Sequence, residues 1–202
     1  MSATHYKNIL FPKALFLVLV LVLSPSVAWG VNISSDTTVS DDLTTQHTFT
    51  ADDITLTVTG SIKYSGKNPI LGNQNPGRTN PTIVVNSGAS IETVGAGTNI
   101  AVNLTNSTGA TVTNSGTISA VYQVGIRALS STNATITNNA GGVISAANNT
   151  ILAHNASVSG LTITNSGKIY NTGGEAALRI ESSSGTTVTN NAGGEIYTTG
   201  SG

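Results

Sequence analysis

The chain has 202 residues and a formal net charge of −1, and only 8% of its residues are charged and 4% aromatic. Ordinary globular domains carry about 25% charged residues, so this composition argues against a fold with helical surfaces. An apolar content of 38% argues against disorder, and the scarcity of Lys and Arg argues against a nucleic-acid surface. The absence of Cys excludes disulfide bonds and thiolate zinc sites.

The first thirty residues have the features of a secretory signal peptide. Lys7 and Lys13 form a basic front, residues 14–23 are an unbroken apolar run, and Gly30 offers a small residue for cleavage. An apolar run of this length is too short to span a bilayer, which takes about 20 residues, but it suits the core of a signal peptide. We therefore expect export and removal of residues 1–30, with an uncleaved membrane anchor as the alternative.

Residues 31–53 are rich in Thr and Asp, and regular alternation of Thr with apolar residues begins only at residue 54. We expect 31–53 to form an N-terminal cap or entry segment, because the terminal repeat of a stacked protein faces water and departs from the pattern. The pairs Asp41-Asp42 and Asp52-Asp53 fit a solvated face better than a calcium site.

Residues 65–81 interrupt the pattern with turn-forming residues and three Asn-Pro pairs. Pro has no backbone N–H and restricts the residue before it, so this segment is predicted to be a loop inserted between strands. A tolerated surface insertion and a recognition loop are the two roles that fit it.

From residue 54 to residue 202 the chain repeats one unit, in which a Thr-apolar-Thr segment is followed by an Asn-Gly turn and a second apolar residue. The clearest copies begin at Thr111, Thr135, Thr162 and Thr187. The turn residue is Gly60 in the earliest copy and Asn in the later ones, at Asn86, Asn114, Asn138, Asn165 and Asn190. Successive copies are 24 to 28 residues apart, a period typical of stacked-coil proteins.

Each copy has a third apolar segment, which starts 12 to 14 residues after the turn Asn, as at Ile126 and Leu178. One coil therefore has room for three short strands, and it lacks the long helical pattern of leucine-rich or βα repeats. The sequence predicts an all-β fold, a parallel β-helix with coils of about 26 residues.

The repeat also predicts which way each side chain faces. Val112, Ile118 and their equivalents should point inward and stack at roughly 4.8 Å, while the neighbouring Thr residues point outward. The turn Asn residues should pass side-chain hydrogen bonds from coil to coil as an asparagine ladder. Some turns are two residues longer than others, and an even difference keeps the following Ile in the core.

Two arginines give the first candidate binding site. Arg127 and Arg179 occupy matching places two coils apart, so they should share a face about 10 Å from each other, with His154 and Glu181 close by. A polysaccharide lyase on this fold would need a carboxylate cluster on such a face. Sparse surface charge is therefore the interpretation that we favour over an active site.

Two tyrosines give the second candidate. Tyr170 and Tyr197 occupy the same place in adjacent coils, where other coils carry Glu92, Ser119 and Ser145. Stacked aromatic rings could hold a sugar ring or a partner's apolar group, or they could simply stabilise the sheet. No catalytic motif, metal site or cofactor site is predicted from the sequence.

The units Thr-Asn-Ser-Gly-x-Ile and Thr-Asn-Asn-Ala-Gly-Gly-x-Ile resemble the passenger repeats of Gram-negative autotransporters. The resemblance covers residues 82–202 well and 54–64 loosely. It implies a right-handed, pectin-lyase-like β-helix at the cell surface or secreted, with a role in adhesion, aggregation or biofilm formation. The implied partners are host or neighbouring-cell surface components, or further copies of the chain, and not nucleic acid.

Autotransporters also have a C-terminal translocator that forms a membrane barrel, and no such segment follows residue 202 in this chain. We therefore expect an N-terminal fragment or a truncated gene product whose β-helix is incomplete at its C-terminus. Two other functions stay open, a carbohydrate-active enzyme on the same β-helix and a filamentous adhesin exported by a separate partner barrel.

Overall fold

A computed structural model describes residues 30–66, 68–72, 77–97, 99–154 and 157–200. The predicted signal peptide, residues 1–30, lies outside the described residues except for Gly30. In chain order, the strands of the described chain are β1 (Val31–Ile33), β2 (Thr37–Val39), β3 (Asp42–Leu43), β4 (His47–Phe49), β5 (Thr55–Val58), β6 (Ser61–Tyr64), β7 (Ile70–Gly72), β8 (Thr82–Val85), β9 (Ser90–Thr93), β10 (Ile100–Asn103), β11 (Thr111–Asn114), β12 (Thr117–Ala120), β13 (Val124–Arg127), β14 (Thr135–Asn138), β15 (Val143–Ala146), β16 (Ile151–His154), β17 (Thr162–Asn165), β18 (Lys168–Asn171), β19 (Leu178–Glu181), β20 (Thr187–Asn190) and β21 (Glu195–Thr198).

Every third strand joins the same sheet, so the chain winds through three seven-stranded sheets in turn. Sheet A runs from β1 to β19, sheet B from β2 to β20 and sheet C from β3 to β21, and all pairings are parallel. This is a parallel β-solenoid with coils of about 26 residues, as the period predicted. The predicted third strand of each coil is also confirmed, because the apolar segments at Ile126 and Leu178 are part of β13 and β19.

The core is a set of apolar columns that run along the solenoid. In sheet B, Ile136 pairs with Val112 on one side and with Ile163 on the other, and all three side chains are fully buried. In sheet C, Ile144 pairs in the same way with Ile118 and Ile169. Each column therefore places like on like in register, which is the inward stacking that the repeat predicted.

The predicted asparagine ladder lies inside the solenoid, at the last position of the sheet B strands. The amide nitrogen of Asn114 donates to Asn138 Oδ1, that of Asn138 to Asn165 Oδ1, and that of Asn165 to Asn190 Oδ1, each at 2.8 Å. Asn114, Asn138 and Asn165 are fully buried. Each amide also donates to a carbonyl oxygen of its own turn, such as Gly142 for Asn138.

Asn86 is not part of this ladder, and its prediction as a rung was wrong. Val85 pairs with Asn114 in the register of sheet B, and Asn86 is one residue further along and exposed. The Asn86 carbonyl instead accepts from the Ala89 N–H at 3.0 Å, which closes a four-residue turn. The physical reason is parity, because Ile91 follows Val85 by six residues, an even number, and follows Asn86 by five.

The sheets begin upstream of residue 54, where the sequence pattern placed the first strand. β1 to β4 lie within residues 31–49 and join the same three sheets, with Ile33 and Phe49 in the core. The strands are short and their apolar residues are spaced irregularly, so alternation did not indicate them.

The segment 65–81 was predicted to be an inserted loop, and at residues 70–72 that prediction was wrong. These residues form β7, which lies between β4 and β10 in sheet A, with Ile70 fully buried. Pro69 precedes the strand, where its missing N–H costs no ladder bond, and its carbonyl accepts from the His47 N–H at 2.7 Å. Thr79 then forms a single bridge with Thr108, at the corner between sheets A and B.

The turns between sheets B and C have two lengths. The short turn follows Val39, Val58, Asn114 and Asn165, and the long turn follows Val85, Asn138 and Asn190. In the long turn the N–H of the fourth residue bonds to the carbonyl of the first, and the third residue is a Gly with positive φ, +82° at Gly141. Positive φ at the third position is the pattern of a type II turn, which favours Gly there.

Candidate functional site

The outer face of sheet C carries the predicted tyrosine pair. Tyr170 of β18 pairs in register with Tyr197 of β21, and their ring centroids are 5.3 Å apart with the ring planes inclined by 10°. Both side chains are partly exposed. The sequence prediction of their shared position is confirmed, because the same row continues through Ser145, Ser119 and Glu92.

An ion pair lies on one side of the tyrosine pair, on the same face of sheet C. Lys168 and Glu195 are two residues upstream of Tyr170 and Tyr197, and the Lys168 Nζ is 3.3 Å from Glu195 Oε1. Both side chains are about half exposed, so the ion pair is worth at most about 1 kcal/mol. The ion pair restrains the Lys168 and Glu195 side chains beside the stacked rings.

A shallow notch of about 130 Å³ adjoins this patch. It lies at the turns between sheets B and C, where the short turn at Ser166 and Gly167 is flanked by long turns whose Gly141 and Gly193 project further. Lys168 also lines it. The difference in turn length thus creates a recess with glycine walls next to the aromatic and charged residues of sheet C.

Arg127 lies on the outer face of sheet A and is held by its own strand neighbour. Its Nε donates to Asn103 Oδ1 at 3.3 Å, and the two residues are in register between β10 and β13. The side chain is half-buried, and this burial lowers the pKa of Arg127 below its usual value.

Arg179 is in the same row two strands away, with Leu152 between the two arginines. Its Nε donates to Glu181 Oε1 at 2.7 Å, and Glu181 Oε2 is 3.5 Å from His154 Nε2. The hydrogen bond to Glu181 raises the pKa of Arg179, and in return the same bond lowers the pKa of Glu181.

The structure therefore confirms that the arginines share a row but does not bring them together as one site. Leu152 separates them, and each guanidinium already binds a different partner, Asn103 or Glu181. In the described part of the chain, no group of three or more His, Asp or Glu side chains could hold a metal ion.

The outer face of sheet B is uniform, a feature that the sequence analysis did not single out. From β5 to β20, its outward positions are threonines in two parallel rows, except for Val84. The first row is Thr55, Thr82, Thr111, Thr135, Thr162 and Thr187. The second row is Thr57, Val84, Thr113, Thr137, Thr164 and Thr189. We call these twelve positions the threonine face.

Two further features are single residues or small groups. Val94, Val121 and Tyr122, all about half exposed, lie at the corner between sheets C and A. His47 is buried in sheet A, where burial lowers its pKa and its Nδ1 is 3.2 Å from the Thr45 carbonyl oxygen. Among the described residues, no helix is long and apolar enough to cross a membrane.

Comparison with known proteins gives no relative for this chain. No protein-family model, curated protein or solved structure matches it.

Proposed function

We propose that this chain is an exported structural and adhesive scaffold, of the kind that forms the passenger of a Gram-negative autotransporter. The observation that carries the proposal is the register of the three sheets. Every coil from β5 onward places its inward residues on those of the coil before it, so the chain builds a rigid column. A column of this kind displays outward side chains at fixed spacing, which suits repeated weak contacts with another surface.

The tyrosine pair is the adhesive element that we assign to this scaffold. Stacked rings give a rigid apolar contact area at low cost in conformational entropy, and tyrosine hydroxyls add hydrogen bonds at its rim. The ion pair of Lys168 and Glu195 supplies charge beside the uncharged rings, and the notch at Gly167 adds concave surface. The ligand class that this combination fits is a cell-surface glycan or a partner protein's apolar group.

Display of the full chain on a bacterial cell, through a carrier barrel fused to its C-terminus, tests the proposal. Cells that display the chain should aggregate or bind a glycan-coated surface more than cells with the carrier alone. The double variant Tyr170→Ala and Tyr197→Ala should lose most of this gain, because both rings are removed. Ser119→Ala, in the same row of sheet C, is the matched control and should behave as the parent.

A different result would contradict the proposal. Equal adhesion by cells with and without the chain would remove its basis, and so would adhesion that persists in the double tyrosine variant. The enzyme alternative has its own readout, release of unsaturated products from polyuronate by the purified chain. Such turnover, if it disappeared in Arg127→Ala or Arg179→Ala, would replace the scaffold hypothesis with a lyase.

A further inference from the structure

The threonine face differs in composition from the other outer faces of the same solenoid. In sheet C, one outward row includes Lys63, Glu92, Tyr170 and Tyr197. In sheet A, one row includes Asn103, Arg127, Leu152 and Arg179. All three sheets have the same parallel geometry, so a general preference of strands for threonine would act on each of them. The uniformity is confined to sheet B, and it therefore needs an explanation that is specific to this face.

The face is a regular two-dimensional grid of small groups. Adjacent strands are about 4.8 Å apart, and outward residues two positions apart on one strand are separated by roughly 6.6 Å. Six strands thus extend the grid over roughly 24 Å along the solenoid. Val84 keeps the grid continuous in shape, because valine and threonine have nearly the same size and branching.

Each grid point is stiff and exposes both a methyl group and a hydroxyl group. Threonine is branched at Cβ, which restricts its χ1 angle. The side chains of the face are partly or fully exposed, and none of its hydroxyls bonds to another group of the described chain. These hydroxyls are therefore left to bind water, at positions that the solenoid fixes in advance.

The face is also free of charge. All its outward positions from β5 to β20 are threonine or valine, and none of them carries an ionisable group. A grid of neutral donors and acceptors complements an uncharged surface, and it carries no cation that would attract anionic lipids or phosphates. A soluble ligand would touch only a few of its points, so a grid of this extent is suited to a partner that is itself periodic.

We propose that the threonine face binds ice. Ice presents a repeating lattice of water oxygens whose closest repeat is near the spacing of adjacent strands, and each hydroxyl can replace or order one lattice water. A single bound water contributes little, because ordering it costs up to about 2 kcal/mol. Many simultaneous contacts on a rigid grid overcome this cost, since they add without further loss of freedom. This role is independent of the adhesive role proposed for sheet C.

Crystalline polysaccharide is the other periodic solid to consider, and the face fits it less well. Sugar rings stack on aromatic side chains, whereas the threonine face has none, and the tyrosine pair lies on a different sheet. The experiment below separates the two, because microcrystalline cellulose can be used as a second solid beside ice.

The test is partition of the full chain into slowly growing ice, followed by microscopy of single ice crystals in the same solution. Thr137→Tyr and Thr164→Tyr each place a bulky ring at the centre of the grid, which should keep the neighbouring threonines from contacting the ice surface. Both sites point outward, so the substitutions should leave the core intact. The matched control is Ser119→Tyr, the same new side chain on sheet C. Circular dichroism melting of each variant verifies that it is folded.

We expect the parent and Ser119→Tyr to be enriched in the ice and to facet its crystals. The enrichment of each threonine variant should be about tenfold lower than that of the parent. Exclusion of the parent from ice would overturn the proposal, and so would equal enrichment of Thr137→Tyr and Thr164→Tyr. Loss of enrichment in Ser119→Tyr, or binding of the parent to cellulose but not to ice, would overturn it as well.

Discussion

Asn138 shows how much one buried amide contributes to the solenoid. Its nitrogen donates to Asn165 Oδ1 in the next coil, to the Gly142 carbonyl of its own turn, and to the Lys168 carbonyl. Its oxygen accepts from Asn114. At the first rung, no donor of the described chain reaches Asn114 Oδ1, because Val85 takes the place of the preceding Asn. The first rung of this ladder therefore has an unpaired acceptor.

This arrangement predicts that the position of a break matters more than the residue lost. Asn114→Val removes one amide bond between coils, whereas Asn138→Val removes two, the bonds with Asn114 and with Asn165. Asn165 Oδ1 then keeps only the N–H of Gly167. Valine fits the position, since Val85 already occupies it in the preceding coil. Asn138→Val should therefore lower the free energy of unfolding by about 1 kcal/mol more than Asn114→Val, the net value of one hydrogen bond, measured by urea denaturation. Equal losses would show that the rungs act independently.

Residue positions were predictable wherever the repeat kept its register. The inward apolar columns, four of the five ladder residues and the row shared by Tyr170 and Tyr197 followed from alternation alone. Asn86 was misplaced because the Asn-Ser-Gly triplet was matched by its letters, although the distance to Ile91 has the wrong parity. The threonine face was not recognised because outward threonine was explained residue by residue, without comparing one sheet with another.

At the scale of the elements, the two kinds of turn use glycine for different reasons. In the short turn, a Cβ on Gly167 would overlap the carbonyl oxygens of Gly142 and Asn139 in the preceding coil. In the long turn, Gly141 has open space around it but a φ of +82°, which side chains rarely adopt. Close approach of two backbones governs the first turn, and backbone conformation governs the second.

These two reasons predict different costs for the same substitution. Gly141→Ala should lower the free energy of unfolding by about 1–2 kcal/mol, the cost of a left-handed conformation for alanine. Gly167→Ala should cost clearly more, because the added Cβ would force two backbone segments apart and stretch the Lys168 N–H bond to the Gly142 carbonyl. Thermal melting of the two variants compares them directly. A larger effect of Gly141→Ala would contradict this account of the turns.

Strands were less predictable where they are short. β7 has only three described residues between turn-forming segments, and β1 to β4 lack the threonine alternation of the later coils. In each case the neighbouring strands supply the pairing and the apolar contacts, and this tertiary information is absent from the local sequence.

At the scale of the whole molecule, each coil contacts mainly the coils before and after it. Stability in such a protein is close to a sum of coil and interface terms, so the effect of a core substitution should stay local. Ile163 contacts its equivalents Ile136 and Val188 across β14 and β20. The consequences of a cavity at Ile163 should therefore fade within one or two coils.

Ile163→Ala should cost about 2–5 kcal/mol of local stability, the usual range for a buried large-to-small substitution. Native-state hydrogen exchange should become faster in β14, β17 and β20 and remain unchanged in β5 and β6. Thr164→Ala, the outward neighbour, is the control and should change exchange little. Faster exchange throughout the described chain would indicate one cooperative unit in place of a nearest-neighbour array.

The two turn lengths show which unit repeats along the chain. From Val85 onward, turns of the same length recur every second coil. The two long turns after Asn138 and Asn190 are 52 residues apart, and the two short turns after Asn114 and Asn165 are 51 residues apart. The turn sequences of coils two apart agree better than those of adjacent coils. The long turns share Asn-Asn-Ala-Gly-Gly, and the short turns share Asn-Ser-Gly. The unit that repeats best in the sequence is therefore two coils, so adding coils in pairs would lengthen the column and keep its long and short turns alternating.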